Sequence, residues 1–255
     1  MSPLVLIGFA LAGLMIGSFL NVCIYRLPRR ESIMWPASHC TACSRSLAWY
    51  ENVPVVSWLV LRGRCRGCGS RIALMYPLVE LTTSVVFAGG ALVYGLSPLL
   101  FVRLVFACAL IVLFMIDLQH QILPNVITLP GIAAGFLASL FLPPGWLSSL
   151  IGIAAGGGIL FALAEAYYRL RGVEGLGMGD VKMLAMIGAV LGWPLMLLTL
   201  VFASFAGSVV GVGLMATGRG GMQAALPFGT FLAVGALVAA VVGEPILSWY
   251  LAFYR

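Results

Sequence analysis

The chain has 255 residues, of which 62% are hydrophobic and only 9% are charged. A soluble domain is about half apolar and about a quarter charged, so this composition excludes an ordinary soluble fold. Only helices and closed barrels satisfy their backbone inside lipid, and the long continuous apolar runs lack the alternation of a barrel. The composition predicts an all-α polytopic membrane protein.

The formal net charge of +6 would suggest nucleic acid as a partner if the protein were soluble. Here eight arginines share one loop instead: Arg26, Arg29, Arg30, Arg45, Arg62, Arg64, Arg66 and Arg71. The positive-inside rule explains such a cluster and places the loop in the cytoplasm. We therefore expect contact with anionic membrane lipids and no nucleic-acid partner.

The first apolar run, 3–24, could be taken for a signal peptide. It lacks a basic segment before it and a small-residue cleavage pattern after it, so we predict a retained first span with its N-terminus outside. Seven further apolar segments follow a polar loop: 76–94, 99–116, 126–142, 146–168, 181–191, 194–215 and 225–242. Together with the first run they predict about eight transmembrane helices. The 181–191 segment is short for a span of about 20 residues.

This count predicts three regions: a first transmembrane helix at 1–25, a cytoplasmic loop at 26–75 and a helix bundle at 76–255. Eight spans place almost all basic residues on the cytoplasmic side, including Lys182 and Arg219. Arg103 and Arg255 are the exceptions. We expect Arg103 to extend its charged end to the outer membrane surface.

Two C-x-x-C pairs lie in the polar loop, Cys40 with Cys43 and Cys65 with Cys68, separated by 21 residues. This spacing is typical of a tetrahedral zinc site with four thiolates, which would stabilise a loop too short to form its own core. Redox-active pairs and unliganded thiols remain alternatives, whereas structural disulfides are not expected in the cytoplasm.

Acidic residues within or beside the spans are costly and usually functional. Asp117 closes a strongly apolar run, and Pro124 limits any helix that continues beyond it. Asp180 follows Gly177–Met178–Gly179 and begins the next apolar segment. The topology brings both acids to the same depth at the cytoplasmic side.

Two neighbouring carboxylates share one proton, so that the ionised one can activate water and the protonated one can donate to a carbonyl. Gly177 and Gly179, without side chains, would let an extended substrate approach the backbone. Helix dipoles favour the anion at a helix start and disfavour it at a helix end. That argument predicts that Asp117 more often carries the shared proton.

Structural roles compete with these functional ones. Asp180 alone could be an N-cap, and Glu80 is balanced between pairing with an arginine and a role in the site. For Glu165 a structural role is favoured more strongly. His120 is expected at the solvated interface. Lys182 is expected to extend to the membrane surface or to pair with an acid.

Several motifs together resemble the prepilin leader peptidases, the GxGD membrane aspartic proteases of type IV pilus and type II secretion systems. The resemblance covers nearly the whole chain and includes both cysteine pairs, Pro54 and Asp117. It also includes eight short motifs: GSFLNV at 17–22, YRLP at 25–28, SW at 57–58, LRGR at 61–64, YPLVE at 76–80, LP at 123–124, GMGDVK at 177–182 and PFG at 227–229. Asn125 stands where many relatives have aspartate, and Thr230 stands where proline is frequent. We expect neither difference to affect the aspartate pair.

The resemblance implies a bacterial inner-membrane enzyme that removes the basic leader from prepilins and pseudopilins at the cytoplasmic face, with Asp117 and Asp180 as catalytic acids. Members with the cysteine loop usually also methylate the new N-terminus with S-adenosylmethionine. No glycine fingerprint for that cofactor is present. Asn21 and Arg26 are candidates for its binding, and Glu80 and Lys182 for substrate binding, on the resemblance alone.

Two other classes of function compete with the peptidase. A proton- or cation-coupled transporter would also place acids in the membrane, but along a path at its midplane. A zinc-binding assembly protein would use the acids only structurally. Substituting Asp117 and Asp180 distinguishes the three classes.

Overall fold

The computed structural model describes residues 1–173, 175–217 and 226–253. Arg219 and Arg255, for which the sequence analysis predicted a side of the membrane, lie outside these residues. The described chain contains nine α-helices: α1 Pro3–Arg26, α2 Val56–Val60, α3 Met75–Tyr94, α4 Pro98–His120, α5 Asn125–Ser139, α6 Trp146–Arg171, α7 Met178–Leu191, α8 Trp193–Ala216 and α9 Phe228–Ala252. Its only extended pairing is two isolated bridges in the polar loop, so the all-α prediction is confirmed.

Eight of these helices match the eight predicted apolar segments in order, and α2 is a short extra helix in the polar loop. Six in the described chain, α1, α3, α4, α6, α8 and α9, are long and apolar enough to cross a membrane. The 14-residue α7 is roughly 21 Å long, less than the ~30 Å hydrocarbon core. Its residues from Asp180 to Leu191 are nearly all buried, which explains how so short a helix is stabilised.

The first of two compact units comprises Met1–Val112. In it α1 packs closely against α3, because a Cβ on Gly13 or Gly17 would lie 2.6 Å from the Cα of Ser84 or Glu80. The opposite face of α1 exposes large apolar side chains at helical spacing: Leu4, Ile7, Leu11 and Met15. That stripe is typical of a lipid-facing surface, because exposure of so many apolar side chains to water would be unfavourable.

The second unit comprises Leu113–Arg255 and contains the end of α4 with α5 to α9. Here α7 is the central helix and packs against α5, α6, α8 and α9. Large side chains on α7, Met183, Leu184, Met186 and Ile187, are almost completely buried. This packing fixes the position of the first turn of α7, where Asp180 lies.

Candidate functional site

Asp117 lies in the last turn of α4 and is buried, with 4% of its surface exposed. Helix α4 ends three residues later, and Gln121 adopts a left-handed conformation while its N–H donates to the Asp117 carbonyl oxygen. Pro124 is the N-cap residue of α5, in keeping with the predicted helix end. The turn therefore holds Asp117 at a defined helix terminus.

The carboxylate of Asp117 accepts two hydrogen bonds from the start of α9. The backbone N–H of Thr230 donates to Oδ2 at 2.7 Å, and the Thr230 hydroxyl donates to the same oxygen at 3.0 Å. The N–H groups of a first helical turn have no partner within the helix. Asp117 thus supplies an acceptor to the N-terminus of α9 although it belongs to the end of α4.

Asp180 lies in the first turn of α7, after Gly177 at the N-cap position. The Gly177 backbone hydrogen-bonds to the Asp180 carboxylate. Its Oδ1, however, is buried and has no hydrogen-bond partner among the described residues. A buried oxygen without a partner is costly unless a water, a proton or a substrate satisfies it.

Leu123 connects the surroundings of the two acids. A Cβ on Gly229 would lie 3.0 Å from Asp117 Oδ2 and 2.9 Å from Leu123 Cδ1, and a Cβ on Gly179 would lie 2.9 Å from Leu123 Cβ. Gly179 precedes Asp180 directly. The negative charge of Asp117 also acts on Asp180. The second unit therefore brings the two predicted acids into one buried neighbourhood.

Such a pair can perform acid–base chemistry on water. Two buried carboxylates whose charges repel cannot both ionise easily, so one proton is shared between them. One member then accepts a proton while the other donates one, which is what hydrolysis of an amide requires.

Two other charged residues of the second unit have local partners. Lys182 Nζ donates to Asn125 Oδ1 at 2.9 Å and so joins α7 to the start of α5. Glu165 forms an ion pair with Arg169 one turn later on α6, as its structural bias predicted. His120 is exposed at the end of α4.

A second polar neighbourhood lies in the first unit, between α1 and α3. Glu80 is buried and accepts from the Val55 N–H at 2.8 Å. Asn21 Nδ2 donates to the Tyr76 carbonyl oxygen, whereas Asn21 Oδ1 is buried without a partner among the described residues. This orphaned acceptor and the Glu80 carboxylate could receive hydrogen bonds from a ligand.

The Arg26 guanidinium is committed to the polar loop. It donates to the carbonyl oxygens of Ser32 at 2.9 Å and Pro36 at 2.7 Å. These bonds satisfy a buried charge and fix the path of the chain after α1. They give Arg26 a structural role that does not require a cofactor.

The two C-x-x-C pairs form two knuckles with the same backbone pattern. Cys40 N–H donates to Arg45 O and Ser44 N–H to Cys40 O, while Cys65 N–H donates to Ser70 O and Gly69 N–H to Cys65 O, all at 2.8–2.9 Å. Ser44 and Gly69, at matching positions, both have positive φ. Each knuckle thus presents its thiols in a comparable arrangement.

The four sulfurs fit a tetrahedral metal site. All lie within 4.8 Å of one another, and the Cys40 and Cys68 sulfurs are 3.9 Å apart. Four Zn–S bonds of about 2.3 Å in a tetrahedron require a separation of roughly 3.8 Å. Hydrogen bonds from the backbone, from Ala42 first, lower the pKa of Cys40 to about 6, whereas the adjacent Cys68 thiol contributes to a raised pKa of about 11 at Cys43. The surroundings thus favour the thiolate at Cys40 and the thiol at Cys43.

Arg45 joins the two knuckles. It lies against Gly67 of the second knuckle, where a Cβ would be 2.9 Å from Arg45 Nε, and it interacts with Cys65. Its Nη2 donates to Glu51 at 2.7 Å, and this hydrogen bond lowers the pKa of Glu51. Arg45 thus places a positive charge beside the thiols.

Sequence reasoning missed two residues of these sites. The expectation that Thr230 does not affect the aspartate pair is wrong, because Thr230 donates twice to Asp117. Arg45, whose positive charge lies beside the thiols, was not among the predicted site residues. No local pattern marks either residue, since their partners are distant in sequence or in the other knuckle.

Comparison with family models gives two matches. The bacterial peptidase A24 N-terminal domain matches residues 11–94, and the type IV leader peptidase family matches residues 104–212. No solved structure matches the chain.

Curated proteins with the name prepilin leader peptidase/N-methyltransferase are similar over most of the chain. The protein of Myxococcus xanthus is 45% identical, and the similar region covers 86% of this chain and 66% of the length of that protein. The protein of Aeromonas hydrophila is 37% identical over 94% of the chain and 92% of its own length. The protein of Stutzerimonas stutzeri is 34% identical over 100% of the chain and 96% of its own length.

Proposed function

Since the chain belongs to the type IV leader peptidase family, we propose that it is a membrane aspartic endopeptidase that removes the leader peptide from type IV prepilins and type II secretion pseudopilins. The observation that carries the proposal is the buried pair Asp117 and Asp180, in which one oxygen of Asp180 has no hydrogen-bond partner within the described part of the chain. Family membership does not favour the transporter or the zinc assembly protein.

Hydrolysis follows from the shared proton. The ionised aspartate takes a proton from water, and the resulting hydroxide attacks the scissile carbonyl carbon. The protonated aspartate donates to the carbonyl oxygen, which stabilises the tetrahedral intermediate. When the C–N bond breaks, the leaving amine takes the proton that the first aspartate gained from water. A hydroxyl of the intermediate returns a proton to the other aspartate as it becomes the carboxyl product, so the pair is again singly protonated.

The substrate assignments remain proposals. Among the described residues, a Cβ built on Gly177 would meet Asp180 Oδ2 at 3.4 Å and Gly179 N at 3.9 Å, both ordinary contact distances, which supports close approach of an extended peptide. Gly179 is packed against Leu123, so its lack of a side chain already serves the fold. Lys182 is engaged with Asn125 and acts on substrate only if that bond opens.

The same protein is proposed to methylate the new N-terminal amine. S-adenosylmethionine would supply an electrophilic methyl group. Asn21, through its orphaned Oδ1, and Glu80 are the residues of the first unit that could hold a hydrogen-bond donor of cofactor or substrate. Arg26 contributes only by fixing the start of the loop.

The four cysteines are proposed to hold a structural zinc ion, through Cys40, Cys43, Cys65 and Cys68. The multi-pass protein is placed in the bacterial inner membrane. The arginine-rich loop and both acids lie on the cytoplasmic side in this proposal, because basic loops are retained there.

Detergent-purified protein incubated with a prepilin and S-adenosylmethionine tests the proposal. Intact mass of the product reports leader loss and methyl gain separately. We expect Asp117→Asn and Asp180→Asn each to lower cleavage by about 10³-fold or more while the protein still inserts into the membrane. Glu165→Gln is the matched control, since that acid is exposed and ion-paired, and it should cleave like the wild type.

Other outcomes identify the competing functions. Cleavage at the wild-type rate by both asparagine variants would support an assembly protein that copurifies with a peptidase. An ion flux that requires Asp117 and Asp180, without any cleavage by the wild type, would support the transporter.

A further inference from the structure

We infer that Thr230 is a positioning residue that keeps Asp117 ionised in the free enzyme, so that Asp180 carries the shared proton. The inference rests on the proposed peptidase function and adds to it a direction for the proton. It starts from the asymmetry of the hydrogen bonds around the two acids.

Asp117 has two donors on one oxygen. The Thr230 N–H and hydroxyl lie 2.7 Å and 3.0 Å from Oδ2, and all three groups are buried. Donors aimed at a carboxylate favour its charged form, and such bonds are about twice as strong as those between neutral groups. A protonated Asp117 would lose much of this stabilisation.

Asp180 has the opposite surroundings. Only Gly177 is identified as a hydrogen-bond donor to its carboxylate, and Oδ1 is buried without a partner among the described residues. An ionised Asp180 would leave charge on that unsatisfied oxygen. A proton on Oδ1 removes this charge and leaves an O–H that can donate to a substrate carbonyl.

Helix dipoles do not decide between the acids. The dipole of the helix to which each acid belongs would alone place the proton on Asp117. In the structure both carboxylates lie at helix starts, Asp180 in the first turn of α7 and Asp117 against the first turn of α9. Because both gain from a helix N-terminus, the two donors of Thr230 determine the order.

Few other charges act on Asp117. Asp180 is the titratable group that faces it from α7, where Lys182 is bound to Asn125. Helix α5 carries no charged residue, and the one acid of α9, Glu244, lies near the far end of that helix. His120, on α4 itself, is exposed.

Thr230→Val tests the inference, because it removes the hydroxyl and keeps the shape. We expect the acid limb of the pH profile of kcat/KM to move upward by about one pH unit, since the ionised Asp117 is less stable without this donor. Thr230→Ser should restore the wild-type limb. Thr199→Val, which removes a buried hydroxyl bonded to Leu195 O on α8, should leave the limb in place.

An unmoved limb in Thr230→Val, with kcat reduced equally at every pH or not at all, would overturn the inference and show a purely structural role. A second measurement does not depend on the variants or on activity. Carboxyl ¹³C chemical shifts in the wild type should identify Asp180 as protonated and Asp117 as ionised, and the reverse assignment would refute the inference. Failure of the wild type to cleave prepilins would instead refute the proposed function.

Discussion

At the scale of single residues, Gly177 and Gly179 flank one methionine at the start of α7 but have different surroundings. A Cβ on Gly179 would lie 2.9 Å from the Cβ of Leu123, an atom that cannot move without the backbone. Among the described residues, a Cβ on Gly177 would meet Asp180 Oδ2 at 3.4 Å and Gly179 N at 3.9 Å, both ordinary contact distances. The first glycine thus has room for a methyl group within the described part of the chain, and the second is fixed by packing.

This difference predicts separate kinetic effects. Gly179→Ala should displace Leu123 or the first turn of α7 and lower kcat by about tenfold or more, because small misplacement of a catalytic group is costly. Gly177→Ala should mainly raise KM, since its methyl group occupies space proposed for the peptide. Steady-state cleavage of a prepilin peptide measures both constants. Equal loss of kcat in the two variants would contradict the distinction.

Single residues also show what a sequence can reveal about a site. Asp117 and Asp180 could be named as candidates because a carboxylate beside a long apolar run stands out by its cost. Thr230 was not, because a threonine near a helix start is common and its partner is 113 positions away. The value of such a residue depends on a contact that no local pattern encodes.

At the scale of elements, the extent of the apolar runs predicted all eight hydrophobic helices in order. The ends were less accurate. Helix α6 runs to Arg171 and α7 begins at Met178, whereas the apolar runs suggested 168 and 181. Polar residues continue a helix when they can reach water at its end, so hydropathy underestimates length there.

Close packing of α6 against α7 depends on glycines that have no side chain to separate the helices. Gly152 and Gly188 face each other so closely that a Cβ on either would overlap the backbone of the other, and a Cβ on Gly156 would lie 2.7 Å from Leu184 O. Small residues permit such approach in membrane bundles. The contact holds α7, and therefore Asp180, in place.

Gly188→Ala should push α6 and α7 apart and destabilise the second unit by about 1–3 kcal/mol, the usual cost of overpacking. Thermal unfolding in detergent should show a lower Tm. Gly158→Ala, also on α6, is the control because no atom of the described residues lies within 4 Å of a Cβ built there. A Tm for Gly188→Ala equal to that of Gly158→Ala would contradict the proposed role of this contact.

At the scale of the whole molecule, two compact units correspond to two family models. Residues 11–94, matched by the N-terminal domain model, lie within the first unit, and residues 104–212, matched by the leader peptidase model, lie mostly within the second. The cysteine knuckles, Glu80 and Asn21 belong to the first unit, and both aspartates to the second. This division suggests that methyl transfer depends on the first unit and cleavage on the second.

The knuckles offer the clearest test of that division. Replacing Cys40 and Cys43 by serine removes two of four thiolates, so bound zinc measured by elemental mass spectrometry should fall from about one ion per chain to nearly none. Methyl gain in the intact-mass assay should fall strongly, because the loop that borders Glu80 through Val55 loses its metal. Leader loss should persist, since Asp117, Asp180 and Thr230 all lie in the other unit.

Cys108→Ala, outside the knuckles on α4, should change none of the three readouts. Equal loss of cleavage and methylation in the serine variant would show that the zinc loop serves the protein as a whole, and unchanged zinc content would remove the metal assignment.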